Sequence, residues 1–154
     1  MSRVQLALNV SDLQAAIQHY TTLFGTPPAK VKPGYANFAI AQPPLKLVLI
    51  ESADAVHGSI NHLGVEVNTR EEVAAEHKRV TDAGLASVVD GETTCCFAVQ
   101  DKFWVQGGPT QFEIYTVLAA ADVMFQPESA CCAPAGEPTA EAVAPETVAA
   151  GRCC

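Results

Sequence analysis

Polar and apolar residues alternate through VQLALNV near the N-terminus, with Leu6, Leu8 and Val10 on one side and Gln5, Ala7 and Asn9 on the other. Period-two alternation predicts a strand with one buried face. The spacing changes in SDLQAAIQHYTTLFG: Leu13, Ala16, Ile17, Tyr20 and Phe24 form one helical stripe, Ser11 and Gln14 have capping-box spacing, and Gly25 supplies the stop. Two strand-like runs, YANFAIA and LKLVLIE, then flank the turn signal QPP, after a short strand near AKVK. From there the pattern begins again. INHLGVEV alternates like the first strand, TREEVAAEHKRVTDAG reads as a helix capped by Thr69 and Glu72 and stopped by Gly84, and LASVV, CCFAVQ, KFWVQ and TQFEIYTV supply strands. Laying the second half on the first matches Gln5-Leu6 with His62-Leu63 and Val10 with Val67. A strand, a helix and then about three strands, occurring twice, predict an α+β domain made of two βαβββ modules.

The modules span about residues 1–52 and 58–118, inside one folded domain of residues 1–124. A chain of 154 residues, 49% hydrophobic, suits one such domain with a real core. From residue 125 onward the composition turns to Ala, Pro and Glu, with no Leu, Ile or aromatic residue after Phe125. So little apolar surface cannot offset ordering entropy, which predicts a disordered, flexible tail. The net charge of −8 argues against phosphate-backbone binding, so nucleic acid is set aside. The opening residues lack a signal-peptide apolar run and no later run is long enough to span a bilayer, so no membrane is expected and the cytoplasm is the expected compartment. All six cysteines fall in adjacent doublets, Cys95-Cys96, Cys131-Cys132 and Cys153-Cys154, unlike a secreted disulfide framework. Reduced thiols are expected.

The first doublet raises a chemical question. Consecutive Cα atoms sit about 3.8 Å apart, whereas bridged cysteines usually need about 4.4 Å or more. Neighbouring strand side chains also point to opposite faces. Two such thiols can nevertheless converge on one larger, soft ion where the backbone bends, so Cys95 and Cys96 are candidate soft-ion ligands; the alternative is a pair of small buried hydrophobes. Alternation places Gln5 opposite Leu6 and Leu8, His62 opposite Leu63 and Val65, and Glu113 with Gln111 and Tyr115 opposite Phe112 and Ile114. These polar residues fit either a facial set of metal donors with Gln in place of one His or ordinary hydrogen-bonded strand residues. Lys102, in a turn near the thiols, is read either as a group that lowers a thiol pKa or steadies an oxygen intermediate, or as an exposed lysine. Phe103, Trp104 and Tyr115 are pocket walls or core. Gly91 and the ETT run read as a loop able to close over a substrate. His19, His57 and His77 are assigned no metal.

Paired βαβββ modules with Gln5 and His62 on their first strands and Glu113 on the last resemble the vicinal oxygen chelate superfamily, which includes glyoxalase I and extradiol dioxygenases. More closely, Gln5, His62, CCFAVQDKFWV and FEIYTV followed by CCAP resemble the carbon–arsenic lyases of the ArsI type and the related cadmium-induced proteins of the CadI type. The resemblance implies a cup-shaped mixed sheet, Fe(II) held by Gln5, His62 and Glu113, arsenic held by Cys95 and Cys96, O2 as co-substrate, and a trivalent organoarsenical such as methylarsenite as the small-molecule partner, with arsenite released. A homodimer is among the assemblies it admits. A non-enzymatic cadmium or arsenite store and a glyoxalase-like metalloenzyme are the alternatives. The first needs only thiols, and the second has no evident use for Cys95-Cys96.

Overall fold

A computed structural model describes residues 2–125. The element order is β1 (Arg3–Val10), α1 (Leu13–Phe24), β2 (Lys30–Lys32), β3 (Tyr35–Ile40), β4 (Leu45–Glu51), β5 (Ile60–Glu66), α2 (Arg70–Asp82), β6 (Ser87–Cys95), β7 (Ala98–Val105) and β8 (Phe112–Ala120). The duplicated βαβββ pattern is therefore real. All eight strands form one mixed sheet in the order β2-β3-β4-β1-β5-β8-β7-β6. The modules meet at the antiparallel β1–β5 pair, and each inner strand has a parallel neighbour from its own module, β4 on β1 and β8 on β5.

Alternation decides which residues face the helices. Leu8 and Val10 of β1, Ala36 and Phe38 of β3, and Leu47 and Leu49 of β4 pack under Leu13 and Ala16 of α1. Val73 and Val80 of α2 pack on Phe103 and Ile114 of β7 and β8. Fully burying one such Leu or Phe contributes about 1.5–3 kcal/mol, so both helices are held to one face of the sheet by side chains the alternation had already sorted. The opposite face is concave. The turn between β6 and β7 reaches back to the first module, where Phe97 packs among Ala7, Tyr35, Val48 and Ile50 and Lys30 Nζ donates to the Phe97 carbonyl at 2.8 Å.

Several local expectations change. The first helix is capped by Asp12, whose carboxylate accepts from Ala15 N, rather than by Ser11; Ser11 instead engages His57. Thr69 does cap the second helix, accepting from Glu72 N at 3.2 Å, and Gly25 ends the first in the left-handed conformation. CCFAVQ and KFWVQ are not two strands: Ala98–Val105 is one continuous strand, and the cysteines lie at the turn preceding it. Gly91 and Glu92–Thr94 do not form a loop, since they are ladder residues of β6 paired with β7. Gly91, at φ +65°, follows an unpaired Asp90 and so marks a bulge within that strand.

Candidate functional site

Gln5, His62 and Glu113 come from β1, β5 and β8, three strands side by side in the middle of the sheet, and all three side chains are buried on its concave face. Gln5 Nε2 donates to Glu113 Oε1 at 2.6 Å and meets His62 Nε2 at 2.9 Å. His62 Nε2 and Glu113 Oε1 are 3.3 Å apart. Three side chains of types able to ligate a metal thus converge on one point around the Gln5 amide nitrogen.

The donor chemistry fits a divalent metal. Two ligand atoms about 2.1 Å from an octahedral ion and at right angles to each other lie about 3 Å apart, which is close to the His62–Glu113 separation. Turning the Gln5 amide about its last bond would present Oε1 to the same point. An imidazole, a carboxylate and a neutral oxygen on one side of a site, with the remaining positions open, suit Fe(II) and similar ions. Pseudo-symmetry accounts for the open side. Ala7 pairs with Val48 across the parallel β1–β4 ladder as Gly64 pairs with Glu113 across β5–β8. The first module's counterpart of the carboxylate is therefore Val48, an apolar residue.

Gly64 is what lets Glu113 lie close. A Cβ at position 64 would stand 2.9 Å from Glu113 Cγ and 3.1 Å from its carbonyl oxygen. A glycine inside a strand often marks such an approach, and this was the sequence signal available for the residue. Around the triad is a second layer in which Tyr115 was a candidate from the sequence but Lys46, Glu66 and Arg3 were not. Tyr115 OH donates to Gln5 Oε1 and accepts from Lys46 Nζ at 2.9 Å, and Glu66 receives Arg3 and Lys46. Lys46 and Glu66 are charged residues on alternating strands, which by pattern alone read as solvated. Burial pushes the Tyr115 phenol well up, helped by Glu113 and Glu66, so the hydroxyl stays protonated.

Lys102 is not an exposed turn residue. It lies within β7, is fully buried, and places Nζ 3.3 Å from Glu113 Oε2 and 4.8 Å from the Trp104 ring centroid. Burial alone would raise the Glu113 carboxyl, but the Lys102 ammonium beside it overcomes that cost and holds the pKa at about 2. Trp104 sits beside Lys102 on the concave face, with its ring edge-on to His62 at 5.5 Å between centroids and Nε1 bonded to Asp90. Phe103 faces the other way, into the α2 core against His77, and so is not a pocket wall.

The backbone at the thiols bends as their convergence requires. Cys95 pairs with Ala98, while Cys96 and Phe97 have φ of 57° and 59°. These angles define a two-residue hairpin turn of type I′, which normally takes Asn or Gly; a left-handed non-glycine residue costs about 1–3 kcal/mol and clusters at functional sites. The turn brings the Sγ atoms of Cys95 and Cys96 to 3.1 Å, longer than the roughly 2.05 Å of a bond. Cys95 itself is disulfide-bonded in this structure, against the reduced state expected for it. Tyr35 packs on Phe97 of the same turn, and burial, followed by the charges of Cys96 and Glu113, pushes its phenol up. Cys131, Cys132, Cys153, Cys154 and the expected disordered tail lie outside the described residues. A cleft of about 540 Å3 adjoins the site on the His62 side and includes Asn9, Ser59 and Asn61. No helix among the described residues is long and apolar enough to cross a membrane.

Paired βαβββ modules in one curled sheet, with metal-donor side chains on adjoining central strands, define the vicinal oxygen chelate fold. The chain belongs to the Glyoxalase/Bleomycin resistance protein/Dioxygenase superfamily, whose family model matches residues 3–103. Among individual proteins it is 55% identical over 136 residues to a trivalent organoarsenical cleaving enzyme of Thermomonospora curvata, covering 87% of this chain and 90% of that protein. It is 60% identical over 123 residues to the cadmium-induced protein CadI of Mycobacterium tuberculosis, covering 79% and 80% respectively. The Mn(II)-bound glyoxalase of Novosphingobium aromaticivorans shares the fold, with TM-score 0.56 and 19% identity over 79% of this chain and 42% of that one.

Proposed function

We propose that this protein cleaves the carbon–arsenic bond of trivalent organoarsenicals such as methylarsenite, releasing arsenite, as a cytoplasmic Fe(II)- and O2-dependent dioxygenase. The observation that carries this reading is the presence, in one domain, of a buried Gln5–His62–Glu113 donor set and a turn that brings two cysteine sulfurs to 3.1 Å. The identity to a protein named for organoarsenical cleavage supports it.

The two donor sets divide the work by softness. Trivalent arsenic prefers thiolates, whereas imidazole, carboxylate and amide oxygen suit Fe(II). Fe(II), when bound by Gln5, His62 and Glu113, supplies the one-electron chemistry that O2 requires. Cys95 and Cys96, once reduced, displace the two hydroxyls of the arsenical as water and hold arsenic in two As–S bonds. A substrate fixed in this way reacts as if intramolecular, which can remove about 7–11 kcal/mol from a barrier when the geometry is right. Lys102 balances the buried charge of Glu113, Tyr115 steadies Gln5, and Trp104 keeps water from the His62 side.

Sequestration of cadmium or arsenite would use the thiols but would leave the buried triad without a purpose. The deciding experiment loads reduced protein with Fe(II) without oxygen, adds methylarsenite, admits air and follows arsenic speciation. Arsenite should accumulate only when iron and oxygen are both present. Arsenite no higher than in the metal-free control would overturn the lyase reading and leave storage.

A further inference from the structure

We infer that Asn61 is a positioning residue that locks the tautomer of His62, and that the β1–β5 ladder carries a bulge at Asn61 so that it can do so. The inference rests on the reading of His62 as a metal ligand.

Adjacent residues of a regular strand point to opposite faces, so Asn61 should turn away from His62. Instead Asn61 Oδ1 lies 2.7 Å from His62 Nδ1. The register explains this. Ala7 pairs with His62 but Leu8 pairs with Ile60, which leaves Asn61 as an extra residue opposite the Ala7–Leu8 step. A bulge of this kind re-aims a side chain, and bulges recur beside active sites for that reason.

The hydrogen bonds have a direction. Asn9 Nδ2 donates to Ser59 Oγ at 3.0 Å, and Asn61 Nδ2 donates to Asn9 Oδ1 at 2.8 Å. With its amide nitrogen committed to Asn9, Asn61 offers His62 only an oxygen, which accepts and cannot donate. Nδ1 must therefore carry the ring proton. A neutral imidazole has a single N–H, so the lone pair falls on Nε2, the atom 3.3 Å from Glu113 Oε1. The opposite edge of the ring agrees, because Gln5 Nε2, a donor only, sits 2.9 Å from His62 Nε2 and requires an acceptor there. The reverse sense of the relay, with Asn61 donating to Nδ1, would put the proton on Nε2 and close it to a metal. Trp104, edge-on to the ring, resists its rotation. Ser59, Asn9 and Asn61 thus form a polar relay from the wall of the neighbouring cleft to the back of the imidazole, and none of the three touches the point where the ligands converge.

The test uses the full-length protein, 15N-labelled at histidine and free of metal. Long-range 1H–15N spectra should show His62 as the Nδ1–H tautomer, and Asn61→Ala should convert it to a mixture. Outer partners of ligating histidines are worth about 10–100-fold in metal affinity, so Co(II) binding, followed by its visible absorption, should weaken by that factor in Asn61→Ala. Asn61→Asp, which keeps an acceptor for Nδ1, should restore both tautomer and affinity. A merely structural role would lower thermal stability without moving the tautomer. Asn9→Ala, which leaves Asn61 in place but releases its amide, should change both readouts in the same direction by less, and serves if Asn61→Ala does not fold. An Nε2–H tautomer in the metal-free parent, or an unchanged tautomer and affinity in the variants, would overturn the inference. His62→Ala separates it from the reading beneath: Co(II) bound as tightly as by the parent would mean that His62 is not a ligand, whatever its tautomer.

Discussion

Replacing Gly64 by Ala tests how tightly the Glu113 carboxylate is held. The added methyl would lie 2.9 Å from Glu113 Cγ and 3.1 Å from the Glu113 carbonyl oxygen, whereas carbon contacts normally settle at about 3.5–4.0 Å. Glu113 must therefore retreat by about 0.6 Å or more. The backbone oxygen is part of the clash, so a change of side-chain rotamer alone does not relieve it. Sites of this kind tolerate displacements of only about 0.5 Å, and overpacking a buried position costs about 1–3 kcal/mol. At about 4 °C of Tm per kcal/mol for a domain of this size, Gly64→Ala should melt several degrees early. It should also bind Co(II) at least about tenfold more weakly, the scale seen when the surroundings of a ligand are disturbed. The comparison is Gly84→Ala, at the end of α2, where φ of +81° makes alanine strained but the Cβ meets nothing within 4 Å. That variant should lose comparable stability, since left-handed alanine costs about 1–2 kcal/mol, and keep the parent's metal affinity. Parent-like affinity in Gly64→Ala would refute the claim that Gly64 sets the position of Glu113.

Three further outcomes follow from the same geometry. Cys96→Asn keeps a residue suited to the left-handed turn at φ 57°, so the protein should melt at or above the parent temperature while organoarsenical binding by the reduced chain is lost; retained binding would remove Cys96 from the arsenic site. Tyr115→Phe deletes the hydroxyl shared by Gln5 and Lys46 and should cost about 1–3 kcal/mol in urea unfolding, the penalty for stranding buried polar groups; a cost near zero would mean that the hydroxyl does not organise the cluster. Glu113, held at about 2 against an ordinary 4.5, contributes stability that is fully present above pH 4.5 and is lost as pH falls through 2. Lys102→Met removes the main opposing charge, so the carboxyl titration, read by 13C NMR on metal-free protein, should move up; a midpoint left near 2 would rule out Lys102 as the cause.

Much of the architecture was legible along the chain because it is periodic. Gln5, His62 and Glu113 each alternate against apolar neighbours, and the second module repeats the first with Thr69 and Gly84 as helix punctuation. Cys95-Cys96 could likewise be singled out, because adjacent thiols are awkward in any regular strand. Other features were hidden for specific reasons. Asp12, not Ser11, caps α1 because Ser11 is drawn to His57, a residue of the following loop. Between the readings open for Lys102, site group or exposed lysine, and for Phe103, pocket wall or core, the choice depended on β7 running unbroken from Ala98. Nothing local marks Lys46 as buried or Glu66 as half-buried; each is stable there only because the other, with Arg3 and Tyr115, is present.

The sequence by itself therefore determined both helices and most of the strands, the face on which most strand side chains fall, and the residue types that can hold a transition metal or a soft ion. These are consequences of repeats of 2.0 and 3.6 residues, which act over a few positions and need no partner. Only the tertiary structure decided that β1, β5 and β8 lie side by side, that the β1–β5 ladder slips by one residue at Asn61, and that the Cys96–Phe97 turn folds back against Tyr35. Pairing partners, register shifts and the burial of charge are settled by contacts between residues far apart in the chain. A buried ion is tolerable only where an opposite charge arrives from another strand, and that arrival is a property of the assembled sheet.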